Sequence, residues 1–177
     1  MTKSVLMCAA LTIGAMSFSS ARPQGRKQPL SPPAETSVTV GGKALAIKYS
    51  APSMRGRKIF GELVPFGKVW RAGANAATAF HTDADLELNG LSVPKGDYTL
   101  FVLPEAEQWT LIVNKQTGQW GLAYNQGQDL GRVKMTMSKS SAPVETYKMT
   151  LSGTGSNAGK LQLEWESTIA SVSFTVK

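Results

Sequence analysis

A basic and aromatic segment carries the side chains best suited to hold an anion or a ring. Arg71 follows Trp70 directly, and a glycine-containing stretch, 73–75, comes next. Arginine presents a planar donor fork that fits a carboxylate, phosphate or sulfate. Tryptophan offers a face for a sugar ring or a cation, and glycine lets a ligand approach the backbone. We predict a ligand-binding site formed by Arg55, Arg57, Lys58, Trp70, Arg71 and Asn75, with Trp120 from a later loop as a further platform.

A structural interpretation of the same residues stays open. Trp70 can anchor its segment to the core, because a loop with many apolar side chains needs an anchor. Arg71 can satisfy loop carbonyls or pair with Glu62.

A second group of polar side chains follows an alternating pattern. His81, Asp83, Asp85 and Glu87 lie on one face of an expected strand. Alternate residues on a strand are about 7 Å apart, too far for all four to share one ion. Two neighbours with help from another strand could hold Zn²⁺ or Ca²⁺. The simpler interpretation is the solvated face of a half-buried strand.

Enzymatic chemistry finds little support in the composition. The chain has one His, so no site with two imidazoles can form. A serine hydrolase would have to use His81, yet no G-x-S-x-G elbow is present to hold its nucleophile. No pair of glutamates is singled out as a glycosidase pair. We predict no catalytic residue, metal or cofactor, and we keep a metal-dependent or hydrolytic enzyme using His81 as the alternative.

The predicted binding segment lies between stretches whose alternating pattern predicts strands. Residues 50–76 have Gly or Pro at six positions and no period-2 pattern. Long structureless segments in a compact domain are usually functional or disordered, and the aromatic side chains argue against disorder. We expect an ordered loop, with a short helical turn, packed across one end or face of the domain.

Alternating apolar and polar residues predict about nine strands elsewhere. Tight turns are expected at Gly41-Gly42 and at Asn89-Gly90, a strong hairpin signal. Residues 114–131, which include Trp120 and Tyr124, are expected to form a long loop. The strand runs cover 37–40, 45–49, 78–88, 98–103, 109–113, 133–138, 146–151, 161–166 and 171–176.

Two of these runs, 98–103 and 109–113, are apolar on both faces. A single flat sheet would leave one of those faces wet, whereas two packed sheets would cover it. The fold class is therefore predicted as all-β, an antiparallel β-sandwich spanning 35–177, with a closed barrel as the alternative.

The N-terminus has the pattern of a secretory signal peptide over residues 1–21. Lys3 precedes an uncharged apolar run, and small residues precede a cleavage point after Ala21. The run is too short for a transmembrane anchor. Residues 22–34 are rich in proline and basic side chains and are expected to form a linker. We expect export to the periplasm or the cell exterior.

Charge is concentrated near the start of the chain. The formal net charge is +7, and residues 22–76 hold ten Lys and Arg against two Glu. This distribution favours an anionic small molecule, a glycan or an envelope component as partner. It does not favour nucleic acid, because no nucleic-acid-binding module is recognisable.

Three stretches carry distinctive motifs: YSAPSMRGRKIFGELVPFGKVWRAGANAAT, LNGLSVPKGDYTLFVLPEAEQWTLIVNK and QWG. Together they resemble the bacterial exported family called domain of unknown function 2911. The resemblance covers 36–177 and implies export and a β-rich fold, and it supplies no catalytic residues. Asn75-Ala76 stands where the family pattern would have Asn-Glu.

Three functions remain after this reasoning. The favoured hypothesis is a non-catalytic binding or interaction module that uses the loop 53–76. The others are an enzyme using His81 and Asp83, and a structural envelope protein. The oligomeric state cannot be derived from these patterns.

Overall fold

The computed structural model describes residues 29–177. The predicted signal peptide and the linker up to residue 28 lie outside the described residues. The strands are β1 (Pro33–Val40), β2 (Lys43–Ser50), β3 (Thr78–Thr82), β4 (Leu86–Leu88), β5 (Leu91–Val93), β6 (Gly96–Leu103), β7 (Thr110–Asn114), β8 (Asp129–Lys134), β9 (Thr136–Gly153) and β10 (Ala158–Val176).

The strands form two separate antiparallel sheets. One has the order β1-β2-β3-β6-β7-β8, and the other has the order β5-β4-β10-β9. The all-β prediction is confirmed. Because neither sheet closes on itself, the structure agrees with the predicted two-sheet sandwich and not with the alternative, a closed barrel. In the described part of the chain, no helix has the length and hydropathy needed to cross a membrane.

The first strand begins two residues inside the predicted linker. Pro33 is the first residue of β1, which pairs only with β2 at the edge of the larger sheet. Proline has no amide hydrogen, and it is tolerated at the first position of an edge strand.

The run 78–88 is two strands in different sheets, where the sequence predicted one. The Thr82 hydroxyl donates to the Ala84 carbonyl at 2.8 Å and accepts from the Ala84 amide at 3.2 Å. This local turn bends the chain between β3 and β4. Thr82, Ala84 and Leu86 are all buried, so the apolar alternation continues through the bend.

Three further predicted runs differ from the observed strands. The run 133–138 is divided at Met135, which lies between β8 and β9 as the chain passes from one sheet to the other. The runs 161–166 and 171–176 are joined in β10, whose register with β9 shifts on both sides of Glu166. Glu166 adopts a φ of 54°, as bulges often require.

The core lies between the sheets and is aromatic at one end. Trp165 of β10 is 2 % exposed and packs with Tyr147 of β9 and with two residues of the long loop, Phe60 and Trp70. Phe60 also approaches Trp109, with ring centroids 4.5 Å apart.

The outer apolar face of β6 and β7 is covered by a loop and not by a second sheet. Phe101 and Ile112 are cross-strand partners with no exposed surface, and both lie outside the main core cluster. The Phe101 ring packs edge-on against Tyr124, with centroids 5.0 Å apart. The segment 115–128 therefore seals this face, which the sequence reasoning assigned to sheet packing.

The long loop 51–77 is ordered, as predicted, and is held by its apolar side chains. Ile59, Phe60, Val64 and Trp70 are buried. It contains turns and isolated bridges but no helix, so the expected helical turn is wrong.

Trp70→Ala should lower the free energy of unfolding by about 3–5 kcal/mol, because it removes a buried ring from the aromatic core. Urea denaturation would measure the change. Trp120→Ala is the matched control: Trp120 is 59 % exposed, so its removal should cost less than about 0.5 kcal/mol. Similar losses in the two variants would contradict the assignment of Trp70 as the anchor of the loop.

Candidate functional site

Arg71 is positioned by a backbone pairing between Trp70 and β6. This pairing extends the six-stranded sheet beyond Thr78, the first residue of β3. Trp70 donates its amide to the Val102 carbonyl at 2.7 Å, and Val102 donates to the Trp70 carbonyl at 2.8 Å. Side chains alternate across a paired strand. Trp70 therefore points into the core, and Arg71 points to the outer face, where it lines a cleft with Phe101.

Trp70 belongs to the core. Its ring stacks on Trp165 at 5.9 Å with an interplanar angle of 19°, and its Nε1 donates to the Gly73 carbonyl at 3.1 Å. Only 9 % of the residue is exposed. The packing fits the anchoring interpretation of Trp70, and we do not include its ring as a platform for a ligand.

The Arg71 side chain is held against the segment that contains Trp120. Gly121 donates its amide to the Asn75 carbonyl at 3.2 Å, and Trp120 forms an isolated bridge with Ala76. A Cβ on Gly121 would lie 2.0 Å from Arg71 Cδ. Glycine at this position therefore lets the arginine lie close to the loop backbone.

The guanidinium of Arg71 has no partner among residues 29–177. It makes no hydrogen bond or ion pair there, and its Nε is buried without an acceptor. Burial lowers the pKa of Arg71 from its usual value, yet the group stays charged because arginine pKa values are so high. A partly desolvated cation without a partner favours an anion beside it.

Two clefts meet at Arg71, and both are lined by Leu63, Val64 and Trp70. The first, here the Leu122 cleft, has a volume of about 240 Å³ and includes Lys68 and Tyr124. The second, here the Arg57 cleft, has a volume of about 230 Å³ and includes Ser31.

The other predicted site residues divide between these clefts and other places. Arg57 lines its cleft, while its guanidinium donates to the carbonyls of Ser53 and Met54 at 2.8 and 2.9 Å. Arg55 donates to the Leu30 carbonyl at 2.8 Å. Lys58 pairs with Glu62, with 3.6 Å between Nζ and Oε1.

The predicted residues thus fall into three groups. Arg71 and Arg57 line the clefts, Asn75 and Trp120 adjoin Arg71 through the loop contact, and the charged groups of Arg55 and Lys58 are engaged with other partners. The expected pairing of Arg71 with Glu62 is absent, since Glu62 bonds to Lys58.

His81 lies on the outer face of the larger sheet between two carboxylates. Its Nδ1 is 2.8 Å from Asp97 Oδ1, and its Nε2 is 3.0 Å from Asp83 Oδ1. These hydrogen bonds, that of Asp97 first, raise the pKa of His81 above its ordinary value of 6.5. His81 and Asp97 line a groove of about 430 Å³ with Glu35 and Lys48.

This arrangement offers little to a hydrolase or a metal. A general base needs a ring nitrogen within reach of the nucleophile, and both nitrogens of His81 are occupied by carboxylates. Within the described residues, no group of three or more His, Cys, Asp or Glu side chains could hold a metal ion.

The family model "Protein of unknown function (DUF2911)" matches residues 31–174. The chain belongs to the DUF2911 family. Searches of the curated proteins and of the solved structures give no match. The resemblance read from the sequence motifs is thus confirmed, and the family assigns no activity that could be transferred to the Arg71 clefts.

Sequence reasoning missed several residues of this DUF2911 site. Leu63, Lys68, Gly121, Leu122 and Tyr124 line the Leu122 cleft with Arg71. The QWG motif, 119–121, was the available signal, because its glycine directly follows the predicted Trp120. Nothing in the spacing shows that this segment lies against Arg71, since that contact joins two loops about 50 residues apart.

Gly121→Ala should lower the free energy of unfolding by about 1–3 kcal/mol, the usual cost of overpacking. Its Cβ would lie 2.5 Å from the Asn75 carbonyl oxygen as well as against Arg71. Gly155→Ala is the control, because its nearest neighbour would be Ala158 Cβ at 3.7 Å. Chemical denaturation of both variants would test the contact, and a Gly121→Ala protein as stable as the control would contradict it.

Asp97→Asn should lower the pKa of His81 more than Asp83→Asn does, because the hydrogen bond to Asp97 is the larger cause of the shift. NMR titration can follow this ring without ambiguity, since the chain has one histidine. Asp85→Asn is the control, because Asp85 accepts from the Lys95 amide instead.

The sign of the linked stability follows from the raised pKa. The unfolded chain has the lower pKa, so the imidazolium contributes stability at pH values below 6.5, and this is lost as the pH rises through the folded-state pKa. A His81 pKa that is the same in all three variants would contradict the two hydrogen bonds.

Proposed function

We propose that this DUF2911 chain is an exported, non-catalytic binding module whose ligand presents an anionic group to Arg71. The single observation behind the proposal is the Arg71 side chain at the junction of two clefts, whose Nε is buried and has no acceptor among residues 29–177. Charged groups in protein interiors are normally paired. An anion in either cleft would supply the missing acceptor.

The charges around Arg71 support an anion over a cation. Lys68 lines the Leu122 cleft, and Arg57 lines the other cleft. The nearby carboxylate of Asp129 is already bonded to Arg132 and to the Tyr124 hydroxyl, at 2.9 and 2.7 Å. The net potential around the site is therefore positive, which attracts anions.

The alternative of an enzyme at His81 has no comparable support. Both of its ring nitrogens are engaged by carboxylates, Asp97 and Asp83. We therefore keep binding as the function and place it at Arg71.

Anion binding can be tested by thermal unfolding of the protein purified from cells that express the full chain, with phosphate or sulfate and with chloride at matched ionic strength. A ligand at 100 times its Kd adds about 2.7 kcal/mol, which raises Tm by about 5–10 °C. Arg71→Ala should abolish this shift. Lys43→Ala removes a positive charge at the first residue of β2, outside both clefts, and this variant should retain the shift in Tm. Equal shifts in the two variants would contradict a site at Arg71.

Export is proposed from the signal pattern of residues 1–21 and has its own test. The full chain expressed in a bacterial host should appear in the periplasm or medium with Arg22 as its first residue, by N-terminal sequencing. Leu11→Arg places a charge in the apolar run and should leave the chain uncleaved in the cell. Cytoplasmic accumulation of the unaltered chain would contradict export.

A further inference from the structure

We propose that the ligand of the Leu122 cleft is a small amphipathic acid, a single carboxylate or phosphate head joined to a short hydrocarbon chain. The inference rests on the proposed function, because Arg71 is the group that receives the head. The further inference is that the remaining side chains of the cleft select the hydrocarbon part of the ligand.

Six apolar side chains line the cleft beyond Arg71. Its apolar side chains come from the long loop, from β6 and from the Gly121 segment, and they are Leu63, Val64, Pro65, Val69, Phe101 and Leu122. A lone inorganic anion would use none of them. An alkyl chain that leads away from Arg71 would cover the exposed ones, Leu63, Pro65 and Leu122, and gain the free energy of apolar burial.

Two of these apolar side chains, Leu122 and Leu63, are largely exposed to solvent. Leu122 is 76 % exposed and Leu63 is 47 % exposed. Trp120, which directly precedes Gly121 in the chain, is 59 % exposed. Apolar side chains gathered on a surface and rimmed by polar groups mark sites of binding.

The polar side chains of the cleft argue against a glycan. Besides Arg71, the polar side-chain atoms of the lining belong to Lys68, Tyr124 and Trp70, and the Trp70 Nε1 already donates to the Gly73 carbonyl. The Tyr124 hydroxyl already donates to Asp129 and accepts from Arg132 Nη2 at 2.6 Å. A sugar with several hydroxyl groups would leave most of them without side-chain partners, which costs affinity.

The size of the cleft limits the chain. Its volume of about 240 Å³ is below the usual 300–1,000 Å³ of sites for drug-sized ligands. We therefore expect a short chain held as a single molecule and not a long acyl chain enclosed along its whole length.

The experiment is a titration with acetate, butanoate, hexanoate and octanoate, each below its micellar concentration, followed by NMR shifts of the labelled protein. Each methylene buried contributes about 0.8 kcal/mol, so affinity should rise about fourfold per methylene until the cleft is filled. Octylammonium has the same chain and the opposite charge, and it should not bind.

Two variants separate this inference from the proposed function. Leu122→Ser should weaken octanoate several-fold and leave acetate unchanged, and because the side chain is exposed the fold should be retained. Arg71→Ala should weaken the whole series. Anion binding that depends on Arg71 but not on chain length would overturn the amphipathic ligand and leave the proposed function standing. No Arg71-dependent binding of any anion would overturn both.

A lipid bilayer also presents anionic head groups joined to hydrocarbon chains, and a separate experiment tests it. Sedimentation with vesicles of phosphatidylglycerol and phosphatidylcholine would report membrane docking. Vesicle binding that Leu122→Ser abolishes, without chain-length dependence for monomeric acids, would overturn the single-molecule ligand. Octanoate binding without vesicle binding would support it.

Discussion

The stacking of Trp70 on Trp165 is the contact on which the rest of the molecule depends. Trp70 pairs its backbone with Val102 in the larger sheet and lays its ring on Trp165 in the smaller one. One residue of a loop thus joins both layers of the sandwich. Because strand-like pairing fixes the direction of successive side chains, burying Trp70 also determines that Arg71 faces outward. The anchor and the candidate ligand group are therefore two consequences of one local geometry. In the sequence analysis, anchoring and ligand binding were alternative roles for Trp70 and Arg71. In the structure Trp70 makes the anchoring contacts, and Arg71 is the residue that faces the clefts.

Periodicity predicted which side chains face the core but not which sheet each strand joins. From Phe80 to Leu88 the alternation continues unbroken, yet the chain changes sheets after Thr82 because a side-chain hydroxyl satisfies the bend. In β10 the buried positions change from odd to even numbers, from Trp165 to Ala170, and the irregular pairing around Glu166 absorbs the change. A phase shift of this kind is visible in the sequence. The same pattern is expected from one strand with a bulge and from two strands separated by a gap, since only the partner strand shows whether pairing continues.

The site was predictable to the extent that it is local. Arg71, Asn75 and Trp120 were proposed from their residue types and local sequence, whereas the other residues of the Leu122 cleft are brought to Arg71 by a contact between distant loops. Phe101 illustrates the difficulty, because its apolar character was attributed to sheet packing and its actual cover is Tyr124. The same loop that seals this face carries Gly121 and Leu122 to Arg71. A sequence shows that a face is apolar, but it does not show whether a sheet, a loop or a ligand covers it.

The electrostatics of the Arg71 region follow from how the nearby carboxylates are used. Glu62 is bonded to Lys58, and Asp129 is bonded to Arg132 and Tyr124. Neither of these two carboxylates bonds to Arg71, while the close approach of Gly121 buries its Nε. The backbone next to it is also strained, since Ala72 has a φ of 51° with no exposed surface, a conformation that costs an L-residue about 1 kcal/mol or more. A chain selected for stability alone would pair this arginine or replace it with an apolar side chain. The proposed binding role accounts for a partly desolvated cation without a partner among residues 29–177, next to a strained backbone, because the missing interaction would then be left for an anion to make.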